Sequence, residues 1–407
     1  MASIGKAVRS ALLLAALLLL STVSAVAQTT DPIFRSWRWT EDVTLPRALA
    51  LGGAVVGLAD DASAAAFNPA GLATIPRSGE LQLGVRFRTR ENFDGYRLDQ
   101  LTKFASPAAF VVRLGSRVGL SYHFVTHRAG TETFFDSRGE TGSLRTAING
   151  PGLGLGVRVS PFVSVGGSLN IVRLYIDHGE YTRAGAPGSP GLKARLSSLG
   201  DTLTTGTVGA LVKAREVSGG LAVRIGREWR GLRFAFDPAT GLVIDEGSEF
   251  GIRSPTAFSL GLAWQPGNLG RASTFLLTSQ FDYVRLGSVE TTSARGIPFP
   301  GSDYHIPDAL EGRLGAEATF PFIATWAARG RPWRPNRVQL RAGWHLQGSG
   351  SFAYEGADAA QKLLFPEGRS RNVWSAGASI GATTIWRVSG KAVPRHPLPV
   401  IAVPGAR

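Results

Sequence analysis

Residues 338–347, VQLRAGWHLQ, decide the fold class because apolar and polar side chains alternate without interruption. The two sets are Val338, Leu340, Ala342, Trp344 and Leu346 against Gln339, Arg341, Gly343, His345 and Gln347. A period of two places successive side chains on opposite faces of a β-strand. The segment therefore predicts a strand with one apolar face and one polar face.

The same alternation recurs along the chain in twelve further segments. They lie at 81–88, 107–114, 117–127, 142–159, 161–175, 204–214, 217–226, 257–265, 273–287, 310–320, 371–381 and 384–392, with one more candidate at 231–237. Most run for about 9 to 11 residues or more, which is the length of a tilted strand that crosses a bilayer. Strands of globular sheets are shorter, with a mode of ~5 to 6 residues.

Face composition and loop length favour a membrane barrel over a soluble sandwich. The polar faces carry Arg, Glu, Gln, Ser and Gly, as a wet lumen requires, and aromatic residues lie near strand ends. Tight connections at 115–116 and 160–161 alternate with long loops near 89–106, 176–203 and 288–308. Closing the sheet leaves no unpaired strand edge in lipid. We predict an all-β, transmembrane antiparallel β-barrel of about 14 strands.

The first 27 residues have the features of a secretory signal peptide. Lys6 and Arg9 precede an apolar run at 11–20, and Ala25–Ala27 supplies the small residues of a cleavage site. The run is too short for a membrane-spanning helix, and no later window offers the roughly 20 apolar residues that such a helix needs. The chain has no Cys, so this exported protein is expected to fold without disulfides.

The strong positive charge does not indicate a nucleic-acid partner. The chain carries 44 Lys and Arg against 30 Asp and Glu, a formal net charge of +14. A nucleic-acid site needs those residues clustered on one face or in runs. Here they are scattered singly through apolar segments, so nucleic acid is not an expected partner.

Residues 58–73, LADDASAAAFNPAGLA, lie between the signal peptide and the first alternating segment and lack its period. Asp61 or Ser63 can cap a short helical turn, and Asn68 before Pro69 provides a second helix start. Taken alone, this pattern predicts a capped surface turn.

A wider stretch at 50–73, ALGGAVVGLADDASAAAFNPAGLA, resembles the N-terminal hatch of the FadL/TodX outer-membrane transporters of hydrophobic compounds. The hallmark of that hatch is an Asn-Pro-Ala motif, which falls on Asn68, Pro69 and Ala70. The acidic and small residues before it fall on Asp60, Asp61 and Ser63. Further pieces at 152–174, 250–267 and 281–290 resemble the same family, as do LEGRLGAEATF and VQLRAGWHL near the end.

The resemblance implies a domain plan and a function. The plan is a signal peptide at 1–27, a hatch or plug of helical turns at 28–78, a barrel at 79–393 and an irregular Pro-rich tail at 394–407. The implied function is passive uptake of a hydrophobic ligand, such as a long-chain fatty acid, across the cell outer membrane. The implied partners are that ligand, outer-membrane lipids and the barrel-assembly machinery, with no cofactor. The tail departs from the family, whose barrels end on a strand with a terminal aromatic residue.

Charge offers a role for the two hatch aspartates. We expect Asp60 and Asp61 to be held by lumen arginines through charge-assisted hydrogen bonds. The candidates on polar strand faces are Arg86, Arg88, Arg158, Arg313 and Arg341. The same side chains suit the carboxylate of a fatty acid in transit. The simpler alternative is that these arginines only wet the lumen.

The sequence also bears on catalysis, metal binding and an alternative function. Gly377–Gly381 matches the G-x-S-x-G pattern of a nucleophilic serine, but no Asp or Glu follows Ser379, so no catalytic residue is predicted. The six His are dispersed, and no metal site is predicted. The alternative function is that of PorV-like barrels, which resemble the same superfamily and act as docking or scaffold components of a protein secretion system.

Overall fold

The computed structural model of the chain describes most of the predicted barrel and the second half of the predicted hatch. The described residues are 45–75, 79–86, 91–93, 96–98, 104–135, 141–183, 192–198, 200–237, 240–266, 274–286, 304–321, 326–328, 331–333, 335–357, 359, 362, 367–382, 384–388, 391–395 and 401–403. The predicted signal peptide at 1–27 and residues 28–44 of the predicted hatch lie outside them.

Three short helices make up the regular part of the hatch segment. They are α1 (Pro46–Ala50), α2 (Ala64–Phe67) and the 3-10 helix η1 (Pro69–Thr74). As the sequence predicted, Asn68 caps η1 and Pro69 occupies its first turn, where a missing N–H costs nothing. Within the described ranges, no helix is both long enough and apolar enough to span a bilayer.

Strands account for most of the remaining described residues. They are β1 (Gly79–Arg86), β2 (Glu91–Phe93), β3 (Tyr96–Leu98), β4 (Phe104–Leu114), β5 (Val118–Phe135), β6 (Thr141–Arg158), β7 (Val163–Arg183), β8 (Leu192–Ser198), β9 (Thr202–Ala214), β10 (Val217–Ile225), β11 (Glu228–Phe236), β12 (Val243–Arg253), β13 (Thr256–Trp264), β14 (Thr274–Arg285), β15 (Tyr304–His305), β16 (Ala309–Pro321), β17 (Trp326–Ala328), β18 (Arg331–Trp333), β19 (Pro335–Gln347), β20 (Ala353–Tyr354), β21 (Arg371–Ala382), β22 (Thr384–Val388), β23 (Lys391–Arg395) and β24 (Ile401–Val403).

One large antiparallel sheet dominates the fold, so the predicted all-β class is confirmed. Its main path runs β1-β4-β5-β6-β7-β9-β10-β13-β14-β16-β19-β21-β24, each strand pairing antiparallel with the next. This path has thirteen strands among the described residues, against the expected 14 or so. The long strand β7 pairs with β9 along its first part and with β8 near its end. Strands β8, β11 and β12 thereby extend the wall beyond the barrel on that side.

Twelve of the thirteen alternating segments correspond to strands of the main path, and the exception is 384–392. That segment forms the separate hairpin β22–β23, in which Val388 pairs with Lys391 across a Ser-Gly pair. Ser-Gly is a turn signal, which the alternation on either side of it obscured. Instead β24, inside the tail expected to be irregular, pairs with β21. The extra candidate at 231–237 belongs to β11, which pairs with β8 and β12 off the main path.

The barrel has inverted polarity, with polar side chains buried and large apolar ones exposed. In β14 the buried Thr278, Gln280 and Asp282 alternate with the exposed Leu277, Phe281 and Tyr283. Comparable exposed apolar residues lie along most other strands of the path, including Tyr122, Leu153, Leu169, Leu221, Leu260, Leu314, Leu340 and Trp374. An outward apolar band around an inward polar face is the pattern of a barrel whose outside meets lipid.

Candidate functional site

The hatch segment at 45–75 fills the lumen. Most of its apolar side chains are buried, and they form one cluster with residues of the wall. The wall members are Ala109, Val111, Leu211, Ala263 and Leu276. Because the strands place these small and aliphatic residues inward among polar ones, the hatch finds apolar contacts inside an otherwise polar lumen.

Wall glycines let the hatch backbone approach the strands directly. A Cβ added to any of nine inward-facing glycines would lie closer than 3.0 Å to a hatch atom. We call this set the glycine belt: Gly119, Gly156, Gly166, Gly209, Gly220, Gly261, Gly315, Gly343 and Gly377. Four of its members pair in direct register across β5, β6, β7 and β9. On β14 the belt is continued by Thr278, whose hydroxyl donates to Ala54 O at 2.7 Å.

We predict that Gly166→Ala displaces the hatch. The new methyl group would collide with the backbone of Pro69 and Ala70. Overpacking of this kind destabilises the seated hatch by about 1–3 kcal/mol, which raises the fraction of molecules with a displaced hatch roughly 5- to 150-fold. The measurement is single-channel conductance in planar bilayers. Gly167→Ala is the matched control, since its Cβ would meet only Thr207 O, at 3.8 Å. Equal conductance in the two variants would contradict the role of the belt.

Asn68 of the predicted hatch motif joins the two parts of the hatch to the wall. Its Oδ1 accepts a hydrogen bond from Ala70 N at 3.3 Å, while its Nδ2 donates to Val56 O at 2.9 Å and to Ala210 O at 3.1 Å. The side chain is fully buried against Gly209 and Gly220. An amide provides both the donor and the acceptor that this position needs, which a carboxylate would not.

The other motif residues are buried in the same region. Pro69 lies against Gly156 and Gly166, and Ala70 is fully buried. Ser63 donates its backbone N–H to Asp61 Oδ1 at 2.8 Å, and its hydroxyl contacts the same oxygen. Asp61 therefore orders the turn that leads into α2.

Arg47 is the centre of a charge network that connects the hatch to the wall. Its Nη1 contacts Asp60 and lies 2.9 Å from Asp61 Oδ2, while its Nε lies 2.9 Å from Glu317 Oε2 on β16. Glu317 also pairs with Arg341 on β19. The guanidinium of Arg47 thus joins both hatch aspartates to two strands of the barrel.

The two aspartates therefore meet an arginine of their own segment, which the sequence analysis did not identify. Arg341 reaches the network through Glu317, whereas Arg313 pairs with Asp282 at 2.8 Å and with Glu311 at 2.9 Å. Arg158 Nη2 donates to Ala73 O at 3.2 Å, which is a hatch contact without an aspartate. The side chain of Arg86 is not among the described ones, and Arg88 lies outside the described residues.

The network fixes the charge state of its hatch members. Burial alone would lower the pKa of Arg47, but the carboxylates of Asp60, Glu317 and Asp61 raise that pKa well above its ordinary value. Burial alone would raise the pKa of Asp61, but Arg47 and the Ser63 hydroxyl outweigh it and lower that pKa. Both groups are consequently charged at neutral pH.

We predict that Arg47→Met destabilises the seated hatch. Without the guanidinium, the carboxylates of Asp60, Asp61 and Glu317 face each other without the cation that they share. Breaking a largely buried ion pair in this way lowers the stability of the seated hatch by about 3 kcal/mol. Single-channel recordings should show a raised conductance, with Arg47→Lys intermediate because an ammonium cannot form the fork. Arg117→Met, in the exposed turn before β5, is the control and should record like the wild type. A closed Arg47→Met channel would contradict the network's role.

We also predict acid opening that depends on Asp61. The pKa of Asp61 in the closed hatch lies below the ordinary 3.8. The Asp61 carboxylate therefore stabilises the closed hatch fully above about pH 4, and this stabilisation is lost as the pH falls through the lowered pKa. Conductance should stay low from pH 7 to about 4 and rise below that. In Asp61→Asn, residue 61 no longer titrates, so the conductance should depend less strongly on pH. An identical pH profile in the variant would contradict the assignment.

Polar side chains of the wall satisfy the hatch backbone in a second set of contacts. Gln280 Oε1 accepts from the N–H groups of Val55 and Val56, both at 3.0 Å, and its Nε2 donates to Asp282 at 2.8 Å. Ser218 Oγ donates to Gly57 O at 2.6 Å, and Arg113 Nη1 donates to Ile75 O at 3.0 Å. Short turns leave many backbone groups without internal partners, and the wall supplies them.

A cleft lies between the hatch and the wall, on the long-loop side of the belt glycine Gly220. Val56 and Phe67 of the hatch contribute apolar surface to it. The wall contributes apolar Ala222, Ala257 and Val284, and polar Thr207, Arg224, Ser259, Gln280, Asp282 and Arg313. The cleft is thus half apolar, and its charged groups all come from the wall.

The inner wall turns apolar toward the long-loop end of the barrel. His123 and Asn170, 2.9 Å apart between Nε2 and Oδ1, are the last polar pair on β5 and β7. Beyond them the inward positions carry Val125, Ile148, Val172 and Leu174, all buried. The inner face of the wall is therefore apolar at this end.

Ser379, the serine of the G-x-S-x-G match, forms hydrogen bonds with two side chains of β19. Its hydroxyl donates to Gln339 Oε1 at 3.0 Å and accepts from Arg341 Nη1 at 3.1 Å. Among the described residues, no group of three or more His, Asp or Glu side chains is placed to hold a metal ion.

Comparison with solved structures identifies the fold. A Pseudomonas aeruginosa FadL homologue matches with a TM-score of 0.57 at 14% identity, over 86% of this chain and 88% of that one. The P. putida toluene transporter TodX matches at 0.56 and 12%, over 85% and 91%. The Ralstonia pickettii toluene transporter TbuX matches at 0.53 and 14%, over 84% and 92%. No protein-family profile and no curated protein matches the sequence. The predicted likeness to FadL/TodX-type proteins is confirmed at the level of the fold.

Proposed function

We propose that this chain, which has the FadL/TodX-type barrel fold, is an outer-membrane channel for passive uptake of hydrophobic compounds such as long-chain fatty acids. The observation that carries the proposal is the hatch sealing the lumen beside a cleft with an apolar side. The gate is the segment at 28–78 with its motif Asn68, Pro69 and Ala70, and the barrel is the segment at 79–393. The tail at 394–407 follows that segment and adds strand β24 to its sheet, and the signal peptide at 1–27 is removed on export.

The lining of the lumen supports a hydrophobic ligand. Each methylene group that leaves water for an apolar surface gains about 0.8 kcal/mol, so the apolar side chains of the cleft, such as Ala257 and Val284, favour an alkyl or aromatic compound over a sugar or an ion. Phe67 and Val56 of the hatch itself line the same cleft. A compound bound there touches the gate, so its binding energy can shift the gate's equilibrium.

The construction of the hatch supports gating by rearrangement. It consists of short turns whose polar contacts to the wall are mainly single hydrogen bonds and the Arg47 network. A typical hydrogen bond contributes only about 0.5–1.5 kcal/mol net, because water replaces the partner when it breaks. The hatch can therefore shift inside a hydrated lumen without melting the surrounding strands.

The partners of the proposed channel are its hydrophobic ligand, outer-membrane lipids and the barrel-assembly machinery. The toluene transporters TbuX and TodX share the fold, which supports a small hydrophobic substrate as readily as a fatty acid. The partly apolar cleft beside the hatch favours transport over PorV-like docking, and over an enzyme, since neither needs an apolar route to a plug.

We predict that the chain restores growth on oleate in a strain that lacks its own importer, and that Ala222→Phe abolishes the rescue. The added ring would fill the cleft against Phe67 without touching the Arg47 network. Uptake of labelled oleate and labelled toluene should both fall at least tenfold. Leu221→Phe, on the adjacent lipid-facing position, is the matched control and should keep full uptake.

Correct insertion is checked by the heat-modifiable migration of the folded barrel in gels. A wild-type chain that inserts but never restores growth or uptake of either compound would contradict the channel and favour docking. Uptake that survives in Ala222→Phe would contradict the assignment of the cleft.

A further inference from the structure

At three places on the outer face, an exposed apolar residue is followed by an arginine toward the long-loop side. On β7 the exposed Leu169 and Ile171 are followed by Arg173, and past β10 the exposed Ile225 is followed by Arg227. On β14 the exposed Tyr283 is followed by Arg285. In each case the arginine is exposed and comes two residues after the apolar one, which in a strand is the next position on the same face.

The height of these arginines matches the edge of a bilayer. Arg173 follows Phe162, in the short turn before β7, by eleven residues. At ~3.3 Å per residue and a tilt of about 40°, that separation corresponds to a height of roughly 28 Å. The outward apolar band of such barrels is about 25 Å tall. Long loops lie on the extracellular side, so Arg173 lies at the headgroups of the outer leaflet.

Two of the arginines form one cluster across β9. The Arg173 guanidinium lies 5.3 Å over the Tyr175 ring and covers Gly200, where an added Cβ would be 2.7 Å from its Nη2. Arg227 Nε donates to Thr204 O at 3.1 Å. Thr204 pairs with Ile171 and Thr202 with Arg173, so both guanidinium groups border the same short stretch of β9.

Strand β8, which pairs with the end of β7, adds two basic residues beyond this pair. They are Lys193 and Arg195, and both are exposed. Acidic residues of the same region include Asp177, opposite Arg145 on β6, and Glu180, opposite Arg195, together with Asp201 and Glu228. Among the described residues, the two arginines nearest the apolar band are held by a ring, in the case of Arg173, and by a backbone carbonyl, in the case of Arg227.

We propose that Arg173 and Arg227, with Lys193 and Arg195 above them, bind the phosphate groups of a phosphorylated glycolipid in the outer leaflet. A guanidinium presents two parallel N–H groups that match a phosphate, and the positions at the bilayer edge bring it within reach. Leu169, Ile171 and Ile225 lie immediately below on the same outer face, where acyl chains of the same molecule would pack. A soluble anion would use the arginines alone, so the adjoining apolar surface favours the lipid.

The test uses the full-length mature barrel purified in detergent and native mass spectrometry with added glycolipid bearing a diphosphorylated disaccharide headgroup. The wild type should retain the lipid, and Arg173→Gln/Arg227→Gln should bind it about 25-fold more weakly, since each basic residue near a membrane surface contributes about fivefold. The matched control is Arg117→Gln/Lys213→Gln, two exposed basic residues at the opposite end, one in the turn before β5 and one near the end of β9, which should bind like the wild type. Raising the salt concentration should weaken binding to the wild type.

Three outcomes would overturn the proposal. The first is equal binding by the Arg173→Gln/Arg227→Gln variant and the wild type. The second is equal binding of the enzymatically dephosphorylated glycolipid by the wild type, an arm that does not depend on any variant folding correctly. The third is complete displacement of the lipid by millimolar inorganic phosphate, which would assign the cluster to a free anion. Uptake assays on the same variants separate this site from the channel, because the cluster lies outside the lumen.

Discussion

The direct contact between the hatch backbone and the glycine belt is the constraint on which the rest of the structure depends. A plug of short turns fits inside a barrel of this size only if its backbone can lie against the strands. Nine belt glycines on nine strands provide that room, and Thr278 contributes a hydrogen bond on β14, the one strand of the main path between β5 and β21 that has no belt glycine. Once the backbone lies there, wall side chains such as Gln280 and Ser218 are within reach of its polar groups.

Charge then determines how firmly the hatch is held. Arg47 gathers the carboxylates of Asp60 and Asp61 and presents the same guanidinium to Glu317 on the wall. A single side chain therefore stabilises the internal fold of the hatch and its attachment to the barrel. Coupling both functions in one residue makes release cooperative, because loss of the wall contact also leaves the two aspartates less well neutralised. That property suits a gate that must be either seated or displaced.

The two faces of the wall have separate tasks. The inner face changes from the polar pair His123 and Asn170 to the apolar group around Ile148 and Leu174, which supports passage of a hydrophobic compound. The outer face changes in the opposite direction, from Ile171 to Arg173, where lipid tails give way to headgroups. Both changes follow from the two-residue period of the strands, which lets one segment present different chemistry to the lumen and the membrane.

Sequence alone determined what depends on local pattern. Alternation located twelve strands of the main path, and Asn68-Pro69 located a helix start, because both signals are complete within a few residues. The hairpin at 384–395 was missed because a two-residue turn interrupts a pattern that otherwise continues. Only the tertiary structure decided that Arg47 is the partner of the aspartates and of Glu317, 270 residues away in sequence. Which charges meet inside a lumen depends on strand register around a closed wall, and no local pattern in the chain carries that information.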